Sequence, residues 1–348
     1  MSHDDVAKSL DVEGAVFVIS RLMPIWIVLC AAAAFQFHSI FTPLGAVVGP
    51  GIGCVMFFMG ITLDLARLKM LLKKPLTVVL GSAGKWVFAP VTGVTTAVIF
   101  CGLHTAIGSG IVMAGIVPSG TSANLNSLIG GGDVAYSVTM SAVDTLVGPF
   151  LTPLIAKLCI GTGVHLAYLP FVWKMVRLVF LPLLSGIALQ SFIPTTRTYL
   201  TPFTPLLSAF ALYGIVLGIV SGAFHVLSLN SDIIPLVALA VLLQVGVQMV
   251  IGYLYGRLLR VDDRSCRSLV FEVGICNSAL AAVLAQDVFG SMAAVAAIAN
   301  MVCNLTMGSM VAALMKGNLR IGKGRKRKER PQILSNGKEV RYGESLRK

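Results

Sequence analysis

The chain has 348 residues, of which 56% are hydrophobic and 12% charged, and its mean hydropathy is +0.86. That composition excludes an ordinary soluble globular domain and makes the lipid bilayer the expected solvent. The formal net charge of +12 does not mark a nucleic-acid binder, because Lys and Arg gather in the C-terminal tail and a few loops and leave no soluble basic face.

The first residues, Met1 to Gly14, are polar and acidic. The apolar run behind them has no small-residue cleavage pattern followed by a soluble chain, so the first span is expected to stay in the membrane. Ten spans of roughly 20 residues fit the apolar stretches. They fall near 16–36, 43–64, 75–101, 107–129, 133–159, 170–191, 203–224, 233–257, 266–287 and 290–315. The predicted fold class is an all-α polytopic membrane protein. Its expected parts are an N-terminal segment at 1–15, a five-helix unit at 16–159, a second at 170–315 and a disordered basic tail at 316–348.

Charge sets the orientation. Arg67, Lys69, Lys73 and Lys74 follow span 2, Arg197 follows span 6, and Arg257, Arg260, Arg264 and Arg267 follow span 8. The connections around His38, His104, His165, His225 and Asp287 carry almost no Lys or Arg, so the basic loops and both termini are expected in the cytoplasm of a bacterial inner membrane. Lys157, Lys174 and Arg177 are exceptions near the opposite helix ends. The seven cysteines show no paired CxxC spacing and no neighbouring histidine, which argues against disulfides and structural zinc. No HExxH or GxSxG motif occurs, and the histidines lie in loops, so an enzyme is not expected.

Spans 4 and 5 read GSGIVMAGIVPSGTSANLNSLIGGGDVAYSVTMSAVDTLVGPFLTP. Pro118, Gly120 and a run of small polar residues interrupt a helix at membrane depth. The freed amides and carbonyls must then face protein or water. Span 9 repeats the theme with Glu272 two residues before Gly274 and five before Asn277. An intramembrane acid is a functional candidate because lipid makes its charge expensive. Laying Gly120–Asn124 on Val273–Asn277 implies an internal repeat. With five spans per half the second copy must run inverted, an arrangement that places ion and substrate at paired broken helices and suits alternating access better than a channel.

The segments PSGTSANLNSLIGGGDVAYSV and FEVGICNSALA resemble the two signature regions of the bile acid:sodium symporter family. That resemblance covers nearly the whole chain. It implies a panel domain of spans 1, 2, 6 and 7 and a core domain of the other six, with broken spans 4 and 9 crossing in the core. It also implies sodium-coupled import of a small organic anion, a carboxylate such as pantothenate, a keto acid or a bile acid. Carried over by position, the first sodium site falls on Asn124, Ser137, Ser141 and Glu272. Ala123 stands where the family has Ser, with Ser122 one place earlier as a possible further ligand. At the second sodium site Lys85 and Cys276 replace glutamines, and Asp144 stands where the family has a small hydroxyl residue.

Lys85 lies eleven residues beyond Lys74, about 16 Å into the bilayer by helical rise. Its ammonium beside Glu272 would supply the charge of the second sodium, leaving one sodium site. An ion pair with Asp144 is a second expectation, since pairing removes most of the cost of two buried charges. A proton-coupled carrier using Lys85 and Asp144 is a third, and a non-transporting sensor on the same fold a fourth. Thr121, Ser122, Asn124 and Asn277 are the expected substrate contacts, beside helix-terminal amides. Gln244, Gln248, Asn300 and Asn304 are expected to join helices.

Overall fold

The computed structural model describes residues 22–63, 75–161, 167–200, 203–328, 332–333 and 339–340. The expected N-terminal segment 1–15, the basic loop from Arg67 to Lys74 and His165 lie outside the described residues.

The described chain is helical. In order, it forms α1 (Met23–Gln36), α2 (His38–Thr62), α3 (Pro75–Phe100), α4 (Ala106–Gly115) and α5 (Thr121–Ile129). Then follow α6 (Val134–Cys159), α7 (Tyr168–Phe192), α8 (Pro194–Leu200), α9 (Thr204–Gly222) and α10 (Phe224–Leu229). The last are α11 (Ile234–Leu258), α12 (Asp263–Gly274), α13 (Ser278–Phe289) and α14 (Ser291–Lys328). Among the described residues beyond α14, a two-residue antiparallel pair forms, Gln332–Ile333 with Glu339–Val340. α14 therefore continues past Met315, where the sequence predicts a disordered tail. Lys and Arg are good helix formers, and the preceding turns already supply the nucleus.

Among the described residues, 6 helices are long and apolar enough to cross a membrane: α2, α3, α6, α7, α11 and α14. The other predicted spans fall on the shorter α1 and α9 and on two interrupted pairs, α4–α5 and α12–α13. Large apolar side chains point outward along the helices, such as Val79, Val87, Val91 and Val98 on α3 and Leu239, Leu243, Val247 and Val250 on α11. Such an apolar exterior is stable against lipid and not against water. This is a multi-pass membrane protein.

Local sequence explains the interruptions. α4 is wholly buried from Ile107 to Gly115, and Pro118, lacking an N–H, prevents it from running into α5. α12 opens on the Asp262 carboxylate, which accepts the amides of Arg264 and Ser265, and closes after Gly274. Asn277 then caps α13 by accepting the amide of Leu280. α6 starts on the Asp133 carboxylate in the same way, accepting from the Ala135 and Tyr136 amides, the usual use of Asp at an N-cap.

The helices pack as two groups. α1, α2, α7 and α9 rest on one another, while α3, α4, α11, α13 and α14 interlock, with α5, α6 and α12 against them. Gln248 donates to the Ala89 carbonyl at 3.2 Å and to Thr92 at 2.8 Å, and Gln244 donates to the Ile111 carbonyl at 3.2 Å. Both glutamines thus join α11 to its neighbours, as their spacing predicts.

Candidate functional site

The two breaks meet face to face. Ser119 pairs with Cys276 in an antiparallel bridge, the Gly120 N–H donates to the Ile275 carbonyl at 3.4 Å, and the Asn277 N–H donates to the Pro118 carbonyl at 2.8 Å. This reciprocal pairing equates Gly120 with Asn277, since each precedes the first residue of its second half-helix. The sequence match of Asn124 with Asn277 is therefore one helical turn out of register. Asn124 belongs to the first turn of α5, not to the break.

Three further carbonyls freed at the breaks are met by side chains. Thr152 donates to Ile116 at 2.7 Å, Lys85 to Val117 at 2.9 Å, and Asn304 to Cys276 at 3.3 Å. At membrane depth each unmet carbonyl would cost several kcal/mol. Gly120 is required at the meeting point, because a Cβ there would stand 2.8 Å from the Cys276 oxygen.

Four of the predicted cation ligands converge behind this pairing. Ser137 Oγ lies 2.5 Å from Glu272 Oε1 and 2.8 Å from Asn124 Oδ1. Ser141 Oγ lies 2.9 Å from Glu272 Oε2 and 3.2 Å from Asn124 Oδ1. Glu272, Ser137 and Ser141 are all buried. Two hydroxyl protons serve three acceptor atoms here, Asn124 Oδ1 and both Glu272 oxygens, and the carboxylate charge has no cationic side chain among them. Such an all-oxygen, electron-rich cluster fits a hard cation. Ser122 does not join it and lines the cavity described below.

Lys85 and Asp144 form a buried ion pair with Nζ to Oδ2 at 3.3 Å. Asp144 also accepts from the Ser82 hydroxyl, from the Trp86 indole N–H at 2.9 Å and from the Ser119 hydroxyl at 3.0 Å. Ser119 Oγ stands 3.0 Å from the Glu272 carbonyl as well, linking the ion pair to the cluster around Glu272. The Lys85 ammonium lies 4.8 Å from the Trp86 ring centroid, a favourable position for a cation over an aromatic face. Its acidic partner is thus Asp144, not Glu272. The roles of Ser82, Trp86 and Ser119 are not legible from spacing, because each acts on a residue of another helix.

Cys276 contacts Asn300 Oδ1 at 3.1 Å, and Asn304 donates to Asn300 Oδ1 at 2.8 Å and to Ser278 at 2.7 Å. These side chains lock α14 to the second break. Beside them opens a cavity of about 470 Å³ between the two helix groups. One wall carries Met23, Met56 and Met59 with Phe58 and Leu212; the other carries Thr121, Ser122, Asn126, Asn277, Ser278 and Asn304. Asn124 is absent from this wall, while Asn126, which the sequence passes over, is part of it. Among the described residues, the cavity lining contains no Lys, Arg, His, Asp or Glu. Both second half-helices start at this wall, so two positive dipole ends face it.

Comparison with known proteins agrees with this architecture. The profile of the Sodium Bile acid symporter family matches residues 49–230, just over half of the chain. The sodium-dependent transporter YocS of Bacillus subtilis is 30% identical over 290 residues, covering 83% of this chain and 88% of its own. The probable sodium/metabolite cotransporter BASS1 of Arabidopsis thaliana chloroplasts is 28% identical over 302 residues, covering 86% and 74%. The probable sodium/metabolite cotransporter BASS2 of rice (Oryza sativa subsp. japonica) chloroplasts is 25% identical over 308 residues, covering 87% and 72%. The chain therefore belongs to the sodium bile acid symporter family, as a multi-pass membrane protein of sodium-coupled transport.

Proposed function

We propose that the protein is a secondary active transporter that moves one small organic anion with one sodium ion by alternating access, Lys85 standing in place of a second sodium. The observation that carries this reading is the charge count. Among the described residues the buried ionic groups are Lys85, Asp144 and Glu272. The first two neutralise each other at 3.3 Å, which leaves one negative charge, on Glu272, for one monovalent cation to balance. Lys85, Ser82, Trp86 and Ser119 all stand within hydrogen-bonding reach of Asp144, and this supports a permanent ion pair over a proton carrier.

On this reading the chain has ten spans in two inverted five-helix repeats, with α4–α5 and α12–α13 as the crossing broken spans. The reciprocal hydrogen bonds between the breaks support that symmetry. α1, α2, α7 and α9 form the panel and the other group the core, with both termini on the cytoplasmic side of a bacterial inner membrane. The anion sits in the cavity between them, where the amides of Thr121, Ser122 and Ala279 have no protein partner among the described residues. Coupling follows from shared elements. Asn124 holds the cation from the same half-helix whose first amides face the anion, and Glu272 does so two residues before the end of α12, where the chain turns toward Asn277. A bound cation fixes both half-helices and so assembles the anion site.

The carboxylate is of the pantothenate, keto acid or bile acid kind, and no enzyme chemistry is assigned. The test is sodium-driven uptake and counterflow of labelled carboxylates in reconstituted vesicles, with a sodium Hill coefficient of about one expected. A coefficient clearly above one removes the role given to Lys85. Uptake that ignores sodium and collapses with a protonophore replaces sodium by proton, and binding without counterflow makes the protein a sensor.

A further inference from the structure

The positive-inside pattern leaves Lys174 and Arg177 unexplained, and their surroundings are built. Both line a second cavity, about 230 Å³, with Pro170, Trp173, Leu178 and Asp287. Lys174 bridges to Asp287 at 2.8 Å, tying α7 to the end of α13. The Arg177 guanidinium lies over the Trp173 ring at 4.9 Å and has no carboxylate partner among the described residues. The cleft thus carries one unbalanced positive charge. Arg177 also belongs to a π-helical turn, Val176–Phe180, inside α7; such turns are rare and concentrate at functional sites.

Below this collar the same helix offers lipid an apolar stripe of Leu181, Leu184 and Ala188, all exposed. From Arg177 to Ala188 the helix rises about 16 Å, close to one leaflet of a hydrocarbon core of about 30 Å. A cation and a Trp at the top of an apolar stripe one leaflet long match the profile of a single phospholipid, headgroup above and acyl chain below. A free phosphate or a soluble carboxylate has no use for the stripe.

We propose that the cleft between α7 and α13 binds an anionic phospholipid, its phosphate oxygens paired with Arg177 and shared with Lys174, its chain along Leu181 and Leu184. Because Lys174 also holds Asp287, the lipid sits on the seam between the two helix groups and competes for the ion pair that joins them there.

The test uses the full chain in neutral detergent, titrated with phosphatidylglycerol, phosphatidylcholine or inorganic phosphate, with bound lipid counted by native mass spectrometry and melting temperature followed in parallel. Phosphatidylglycerol is expected to bind more tightly than phosphatidylcholine and to raise the melting temperature more, while inorganic phosphate leaves it unmoved. Arg177→Gln should weaken phosphatidylglycerol about fivefold, the contribution of one cation at an anionic surface. Trp173→Leu serves as the second variant if Arg177→Gln does not fold. Equal behaviour of the two lipids, a full shift with phosphate alone, or undiminished phosphatidylglycerol binding in the folded variants overturns the proposal.

Discussion

Glu272 stands between two oxygen sets, its carboxylate facing Asn124, Ser137 and Ser141 and its carbonyl facing Ser119. Glu272→Gln keeps the size and removes the charge. Losing one charge-assisted ligand, about 1.5–3 kcal/mol, should weaken sodium-stimulated uptake by about ten- to a hundredfold, read as initial rates at fixed sodium. A rate within twofold of the parent would remove Glu272 from the cation site. The ion pair gives a second prediction. Lys85→Met leaves the buried Asp144 uncompensated and should cost about 3–5 kcal/mol, seen as a lower melting temperature. The double variant Lys85→Gln with Asp144→Thr removes both charges and should recover much of that loss. It should also raise the sodium Hill coefficient above that of the parent, because no ammonium then replaces the second ion. An unchanged coefficient in the folded double variant would show that Lys85 does not fill that role.

The element that organises the site is the pair of breaks. Gly120 and Gly274 allow two backbones and a methionine to come within reach; a Cβ at Gly274 would lie 2.3 Å from Met249 Cγ. Gly120→Ala and Gly274→Ala should each cost about 1–3 kcal/mol by overpacking. Gly120→Ala should in addition slow uptake per folded molecule, since it wedges the breaks apart. Parental uptake by Gly120→Ala would show that the close pairing is dispensable. The presence of both interruptions is legible from Pro118, Gly120 and Gly274, residues that act on their own helix. Their register is not. The spacing laid Asn124 on Asn277, whereas the hydrogen bonds equate Gly120 with Asn277, because register depends on two segments that meet only in the folded chain.

For the whole molecule, one sodium carried with one monocarboxylate is electroneutral. Uptake should therefore be insensitive to an imposed potassium diffusion potential, and an uptake rate that follows the potential would overturn the one-to-one stoichiometry. The cavity adds a selectivity. A second carboxylate would meet methionine and leucine without a cation, since no basic side chain among the described residues lines the space, and desolvating an unpaired charge is costly. Dicarboxylates should compete for uptake at least about tenfold more weakly than monocarboxylates of similar size, a penalty of 1.4 kcal/mol or more.

The sequence by itself determined what depends on composition and on neighbours along the chain. Its hydropathy fixed the solvent, its Pro and Gly residues fixed where helices break, and the four-residue spacing of Ser137 and Ser141 set both on one face. An acid at membrane depth marked Glu272 because lipid makes any charge conspicuous. Only the tertiary structure decided who partners whom. Lys85 meets Asp144, and Ser119 reaches Glu272 across 153 residues. Asn126 faces the cavity while Asn124 meets Ser137 and Ser141. These choices turn on helix rotation and register, which are set by packing between distant segments and leave no local trace in the residues themselves.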